Sequence, residues 1–234
     1  RLLIMPIQQM LLGVGAVAKK TYVDDVFSTY LIKGNQTARS VNTGVDMTEG
    51  GLIWSKCRTD THSHFLYDTE RGVNKFLRAD GTNAEYTESG SLTAFNNNGF
   101  SLGTWAGVNQ NNADHVNFSF RKSPGFFDVV TYTGNGTAGR TLSHSLGCVP
   151  GMIMIKQLND SEDWVVYHRS TGNGNKLYLN TNDDTDGTSS WNYTTPTSTT
   201  ITFSSSGGVN GNNDTYVAYV FAGGESTAAT ARSV

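Results

Sequence analysis

The best metal candidate in this chain is the run Asn182, Asp184, Asp186 and Gly187. Oxygen ligands on alternate residues, with a glycine for the sharp turn, match the first half of a calcium loop. The twelfth position of that loop falls on Tyr193, which cannot give the closing bidentate carboxylate, so the competing reading is an acidic surface turn. His62 and His64 stand two apart, which on a strand puts both imidazoles on one side, within reach of one transition ion. His115 would add a third ligand from a neighbouring strand. Solvated strand positions are the competing reading there too. No resident metal is expected, and Asn182, Asp184 and Asp186 stay as weak candidates.

Catalysis finds little to stand on. Asp60, Asp68 and Glu70 cluster in sequence, as do Glu162 and Asp163, but neither group recurs at an equivalent place elsewhere in the chain. Neither a G-x-S-x-G elbow nor an H-E-x-x-H pair is present. The glycines at 134, 136 and 139 fit G-x-G-x-x-G, yet they open toward another strand and read as a turn. The expectation is a protein that is not an enzyme and carries no cofactor. Aromatic side chains offer a different chemistry. Trp105, Trp191 and Tyr193 sit in or beside Asn-rich turns, the setting in which flat rings stack on sugars, and Tyr86 lies in similar surroundings. Trp54 and Trp164 fall in strand alternations and read as core.

The elements that position these residues are written twice. Phe27, Gly34, Asn35, Thr37 and Ala38 recur as Phe127, Gly134, Asn135, Thr137 and Ala138. Gly51, Ile53, Lys56 and Tyr67 recur as Gly151, Ile153, Lys156 and Tyr167, and Val108, Asn109 and Asn112 as Val209, Asn210 and Asn213. The offset is about a hundred residues, well beyond solenoid periods of roughly 20–50. Strict alternation at 115–120 puts Val116, Phe118 and Phe120 on one strand face and His115, Asn117 and Ser119 on the other. Turn signals such as Asn98-Gly99 and Asp186-Gly187 separate the strands at sandwich-like spacing. The fold class expected is therefore all-β: two tandem antiparallel β-sandwich, jelly-roll-like repeats behind an N-terminal apolar arm. The boundaries are 1–23 for the arm, 24–122 and 123–222 for the repeats, and 223–234 for a linker to a further domain. The short joint at 121–125 favours repeats packed side by side over one composite sandwich.

The arm carries Leu2, Leu3, Ile4, Ile7, Met10, Leu11 and Leu12, read as partner-docking residues. It imitates a signal peptide, ending in Ala16-Val17-Ala18, but Pro6, Gln8 and Gln9 break the apolar run. The run is also too short and interrupted for a membrane helix. Net charge of −3 and no basic stripe argue against a nucleic-acid partner. Cys57 and Cys148 occupy unrelated places in the copies and read as free thiols.

The second copy, from Phe126 through Tyr132, Gly134, Pro150-Gly151 and Trp164 to the closing 215–222, resembles a domain of unknown function found in tail-fibre and other structural proteins of marine, cyanophage-like tailed bacteriophages. Residues 5–16 also resemble the opening of such proteins. The resemblance implies a virion location, assembly in a host cytoplasm, homotrimeric fibres and contact with the phage tail or neighbouring virion proteins. It transfers no catalytic residue. The expected function is the virion-proximal part of a tail fibre, and the alternatives are a carbohydrate-binding module that grips host surface glycan and, more weakly, a secreted adhesin.

Overall fold

A computed structural model describes residues 21–187 and 189–224. The chain is all-β, with several antiparallel sheets and only single turns of helix. In the first half a turn α1 (Val23–Val26) leads into β1 (Phe27–Lys33), β2 (Arg39–Asn42), β3 (Gly51–Cys57), β4 (His64–Asp68), β5 (Lys75–Arg78), β6 (Tyr86–Thr87), β7 (Leu92–Asn96) and β8 (Gly99–Leu102). A turn α2 (Ala106–Asn109) and β9 (Asp114–Arg121) close it. The second half runs β10 (Phe127–Thr133), β11 (Arg140–Ser143), β12 (Pro150–Gln157), β13 (Val165–His168), β14 (Asn175–Tyr178), β15 (Asp186–Gly187) and β16 (Thr200–Phe203). It ends with α3 (Gly207–Asn210) and β17 (Thr215–Ala222).

Each half builds one six-stranded sheet, in the orders β1-β9-β3-β4-β5-β6 and β10-β17-β12-β13-β14-β15. The orders match strand for strand, and the registers do too: Leu52 faces Phe120 as Met152 faces Phe221. Smaller sheets accompany them, β2-β8-β7 in the first half and β11-β16 in the second. No described strand crosses from one half's sheets to the other's, so the strands are not pooled into a composite sheet.

Three apolar cores explain the layering. One joins Val41, Phe100 and Leu102 of the small sheet to Ile53, Phe65 and Tyr67 of the large one. Its counterpart gathers Leu142, Ile201 and Phe203 against Ile153, Ile155 and Val165. The third draws on both halves: Leu52, Leu66 and Leu77 pack with Val129, Met154, Trp164, Val217 and Tyr219. The outer faces of the large sheets therefore stack on each other, rather than lying exposed beside one another. Apolar runs such as 152–155 are what strands buried on both faces look like. At the joint, Phe120 stacks with Phe126 at 6.3 Å and meets Phe221 edge-on at 5.6 Å, tying the ends of β9 and β17 together.

The shared Gly and Asn residues hold the same loop in both halves. The Asn109 amide donates to the carbonyls of Thr37 (2.9 Å) and Gly103 (2.8 Å), and its Oδ1 accepts from the Asn35 N–H. Asn210 does the same with Thr137, Ser204 and Asn135. A Cβ on Gly34 would lie 2.0 Å from the Gln110 carbonyl oxygen, and one on Gly134 2.0 Å from that of Gly211. Only glycine permits that approach.

Candidate functional site

The most polar buried constellation lies where the large sheets meet. After β4 the chain turns at Gly72, whose φ of +90° suits glycine, and the Gly72 N–H returns to the Asp68 carbonyl at 3.0 Å. The turn folds Arg71 back under its own strand. Its Nε donates to Asp68 Oδ2 at 2.6 Å, and Nη2 donates to the Leu66 carbonyl at 2.9 Å and to the Tyr219 hydroxyl at 3.1 Å. The Tyr219 hydroxyl in turn donates to Asp68 Oδ2 at 2.7 Å, so β17 of the second half is latched to β4 of the first. Burial alone would push the Arg71 guanidinium toward neutrality, but Asp68, Tyr219 and Glu85 outweigh it and hold the charge firmly. Burial, together with Asp68, raises the Tyr219 hydroxyl far above its ordinary range.

Beside this latch an open furrow of about 540 Å³ runs between the halves, lined by Glu70, Lys75, Glu85, Thr131, Asn159 and Tyr216 among others. Glu85 is engaged by Arg71 at 3.2 Å and Lys75 at 3.4 Å. Glu70 is engaged by Lys122 at 3.0 Å, and Lys122 also reaches Asp128 at 3.2 Å. With its carboxylates taken up by cations, the furrow offers the exposed hydroxyls of Thr131 and Thr133, while the Asn159 amide is already paired with Asp214, Gln157 and Thr215. Backbone pairs cross the same junction: Glu85 N–H to the Leu158 carbonyl and Glu162 N–H to that of Thr82, each at 2.9 Å. Trp164 Nε1 donates to the Arg78 carbonyl at 2.8 Å.

The residues singled out by sequence do not converge here. Trp191 is completely buried, donates Nε1 to the Asn175 carbonyl and packs edge-on against Tyr167 at 5.5 Å. Trp105 is half-buried, with its ring centre 4.8 Å from Phe65 and 5.1 Å from Phe76. The glycan assignment of Trp191 is corrected accordingly, since it fills the core of its half, whereas Trp105 packs against the core of its own half and keeps part of its surface open. Tyr193 does stand exposed, at 69%, with φ of +50°. Tyr86, 37% exposed, stacks on Phe76.

Asn182 and Asp184 lie on an exposed loop and Asp186 opens β15, where it is paired with Lys176 at 3.4 Å. Among the described residues no three His, Cys, Asp or Glu side chains come together to hold an ion. The histidines part company because of strand pleat. His64 meets Trp54 edge-on at 6.5 Å on one face, and His115 is buried on the opposite one. His62 pairs with the Gln110 side chain at 2.5 Å. Leu2, Leu3, Ile4, Ile7, Met10, Leu11 and Leu12 lie outside the described residues, as does most of the arm. Cys57 and Cys148 are free thiols.

Two features escaped the sequence reading. Arg71 was invisible because its role depends on Tyr219, distant in sequence; the only local signal is an acid three residues ahead of a base at a turn. His115, Asn117 and Ser119, on the face opposite Phe118, are fully buried. A strand whose two faces are both covered gives no exposed side for polar residues to mark.

The fold and the junction define an all-β protein made of two similarly wired halves fused through a common core. The chain belongs to the family described as a domain of unknown function (DUF7483), which it matches over residues 23–227. That match is a single one running through both halves, so the family's unit is the fused pair. Comparison with curated proteins and with solved structures finds no match.

Proposed function

We propose that this protein is a structural component of a tailed-phage virion, the virion-proximal part of a tail fibre, and that its halves are tandem β-sandwich repeats acting as a stiff spacer. The observation that carries this reading is the third core, with the Asp68–Arg71–Tyr219 latch set into it. Halves joined by a flexible linker would bend under load. Halves that share a core and a buried ion pair move as one body. In this reading the apolar segment 1–18 anchors the chain to the tail or a neighbouring subunit, and burial at about 25 cal/mol per Å² of apolar surface supplies the attachment. Fibres of this kind work as homotrimers. Deleting residues 1–18 abolishes incorporation into particles. Normal incorporation of the truncated chain overturns the anchor, and a monomer by light scattering at micromolar concentration overturns the trimer.

A second reading, a carbohydrate-binding module, draws on the junction furrow, where Thr131, Thr133 and Asn159 stand exposed at one opening. It no longer leans on Trp105 or Trp191. Glycan-array binding lost on Asn159→Ala supports it, and no binding by the intact chain removes it.

A further inference from the structure

The two large sheets finish their outer edges differently. Each ends on its first strand, β1 in the first half and β10 in the second. In an antiparallel ladder, the backbone groups of alternate residues point at the partner strand and those between point away. The Gly34 N–H donates to the Ala113 carbonyl at 2.7 Å, and the Gly134 N–H to that of Asp214 at 2.7 Å. With the register, this turns Ser28, Tyr30 and Ile32 toward β9, and Phe27, Thr29, Leu31 and Lys33 toward the open edge. On β10 the outward residues are the matching Phe127, Val129, Thr131 and Thr133.

The second half closes this edge with its own groups. The Phe127 N–H donates to the Ser123 carbonyl at 3.2 Å, and its carbonyl accepts from the Ser123 N–H at 2.9 Å. The Val129 N–H donates to Asp128 Oδ1 at 2.9 Å, and its carbonyl accepts from Lys122 Nζ at 3.2 Å. The Thr133 carbonyl accepts from Arg140. On β1 only the two ends are taken up. The Phe27 N–H donates to the Val23 carbonyl, and the Lys33 carbonyl accepts from Arg39 at 2.8 Å. Both backbone groups of Thr29 and Leu31, the Phe27 carbonyl and the Lys33 N–H have no partner among the described residues.

The side chains leave the same edge open. Outward charge, proline or a bulge guards most natural edges, and β1 is short of all three. Its one charged residue, Lys33, is held by Asp114 at 2.9 Å. Leu31 is 59% exposed and Tyr30 40%, where the second half carries Thr131 and Val130. A groove of about 330 Å³ follows the strand between β1 and β2, lined by Tyr30, Leu31, Ile32, Arg39 and Val41 among others. Strand β2 is the end of the small sheet, so both layers of the first half stop here.

The open groups specify what fits them. One end of β1 offers an acceptor, the Phe27 carbonyl, and the other a donor, the Lys33 N–H. A second β1, laid antiparallel about a two-fold axis at Tyr30, sets Thr29 opposite Leu31 of the second copy and Phe27 opposite its Lys33. Thr29 and Leu31 then exchange both bonds across the axis. The Lys33 N–H of each copy meets the Phe27 carbonyl of the other. The bond missing from that outer pair is the one whose donor and acceptor are already engaged within each copy. A slip of two residues would set Leu31 against Phe27, whose N–H is taken. Folding back the chain that enters β1 would set Thr21 opposite Thr29, and those two residues form no pair.

We propose that β1 is a docking edge for a second copy of this chain, joined strand to strand about a two-fold axis at Tyr30 into one continuous sheet. The pairing goes beyond the spacer reading and does not rest on it. A three-fold fibre assembled through other surfaces would be joined to a second fibre at β1.

The test follows the mass of the full chain by light scattering at high micromolar concentration, for the wild type and Leu31→Pro. Proline at 31 removes an outward N–H and leaves the bonds of Tyr30 and Ile32 to β9 in place. The expected result is a twofold fall in mass, from dimer to monomer, or from paired trimers to trimer where the fibre reading also holds. Amide exchange locates the contact: the Thr29, Leu31 and Lys33 N–H groups are protected in the wild type, and Thr29 and Lys33 lose that protection in the variant. If Leu31→Pro does not fold, Leu31→Lys, which places a charge on the edge, replaces it in both measurements. Equal mass in wild type and variant overturns the pairing, and a trimer that survives the substitution does so while leaving the fibre reading standing. Protected Thr29 and Leu31 amides in a monomer give the edge to the chain's own residues 1–20 and overturn the pairing as well.

Discussion

The two halves share strand order, register and loop clamps, and differ in what their interiors contain. Behind the inner face of β17 stand Tyr216, Ala218 and Val220, and behind that of β9 stand His115, Asn117 and Ser119. The contrast extends to the junction. Asp68 and Arg71 answer to His168 and Thr171 in the second half, and Tyr219 answers to Phe118 in the first. Strand pairing and glycine turns therefore specify the frame, and the frame tolerates opposite polarities inside it. Features that could be specific to this protein are the unshared ones.

The largest effect is expected at the latch. Arg71→Ala leaves Asp68 buried without its cation and lowers stability by about 3–5 kcal/mol in chemical denaturation. Replacing the set together, as D68L/R71M/Y219F, is far milder, because no charge is left stranded. If Arg71→Ala costs under about 1 kcal/mol, the halves are not held by the latch, and the stacked core alone joins them.

Acid separates the interiors next. Burial, then the nearby charges of His62 and Arg39, push the His115 imidazole down to about 4 from an ordinary 6.5, with Lys56 acting in the same sense and Asp114 opposing. The folded-state value is depressed, so the folded chain binds fewer protons than the unfolded one between those limits. Stability is full above about pH 6.5 and falls by about 3 kcal/mol on the way to pH 4. His64 and His144 are depressed in the same sense, also by burial. The discriminating measurement is His115→Gln, in which the loss between pH 6.5 and 4.5 shrinks by most of that amount. An unchanged pH profile would mean that the folded chain does not depress the proton affinity of His115.

How much of this was legible follows from where each signal resides. Gly34, Asn35 and Asn109 announced themselves because close backbone approach and carbonyl clamping admit few residue types, and they recur in the second copy. The alternation at 115–120 gave the strand but not its environment. Both faces of β9 are covered, so polar and apolar sides no longer mean outside and inside. Face-to-face stacking was foreshadowed by the run 152–155, apolar at successive positions, a pattern that a sheet with one wet face does not need. The tryptophans misled for a related reason. Trp105 comes from the cap of α2 and Trp191 from the loop before β16, so each half fills its core from a different loop, and neither position recurs.

The clamp measures how alike the halves are. Asn109→Ala and Asn210→Ala each strand one buried and one part-buried carbonyl and should each cost about 2 kcal/mol, agreeing within about 0.5 kcal/mol. A large difference would show that one half carries the stability of both, despite their matching topology.

The smallest effect lies at the outer strands, where the polarity contrast runs the other way. Phe76 faces Tyr86 across β5 and β6, their rings stacked at 5.5 Å, and Arg78 lies 4.6 Å over the tyrosine. The equivalent pair across β14 and β15 is Lys176 and Asp186, an ion pair at 3.4 Å with the carboxylate half in water. A cross-strand aromatic stack adds roughly 0.5–1.5 kcal/mol beyond burial, and a solvated ion pair roughly 0–1. Tyr86→Ala should therefore cost about 1 kcal/mol, independent of salt, because its neighbour Phe76 loses a covering ring. Asp186→Asn should cost under about 0.5 kcal/mol, and the small loss should vanish in 1 M salt, where charges are screened within about 3 Å. If Asp186→Asn proves the costlier of the two, the exposed carboxylate is doing more than pairing with Lys176. The acidic loop 182–186 would then return as the place to look for a cation, by calorimetric titration of calcium into the wild type and the variant.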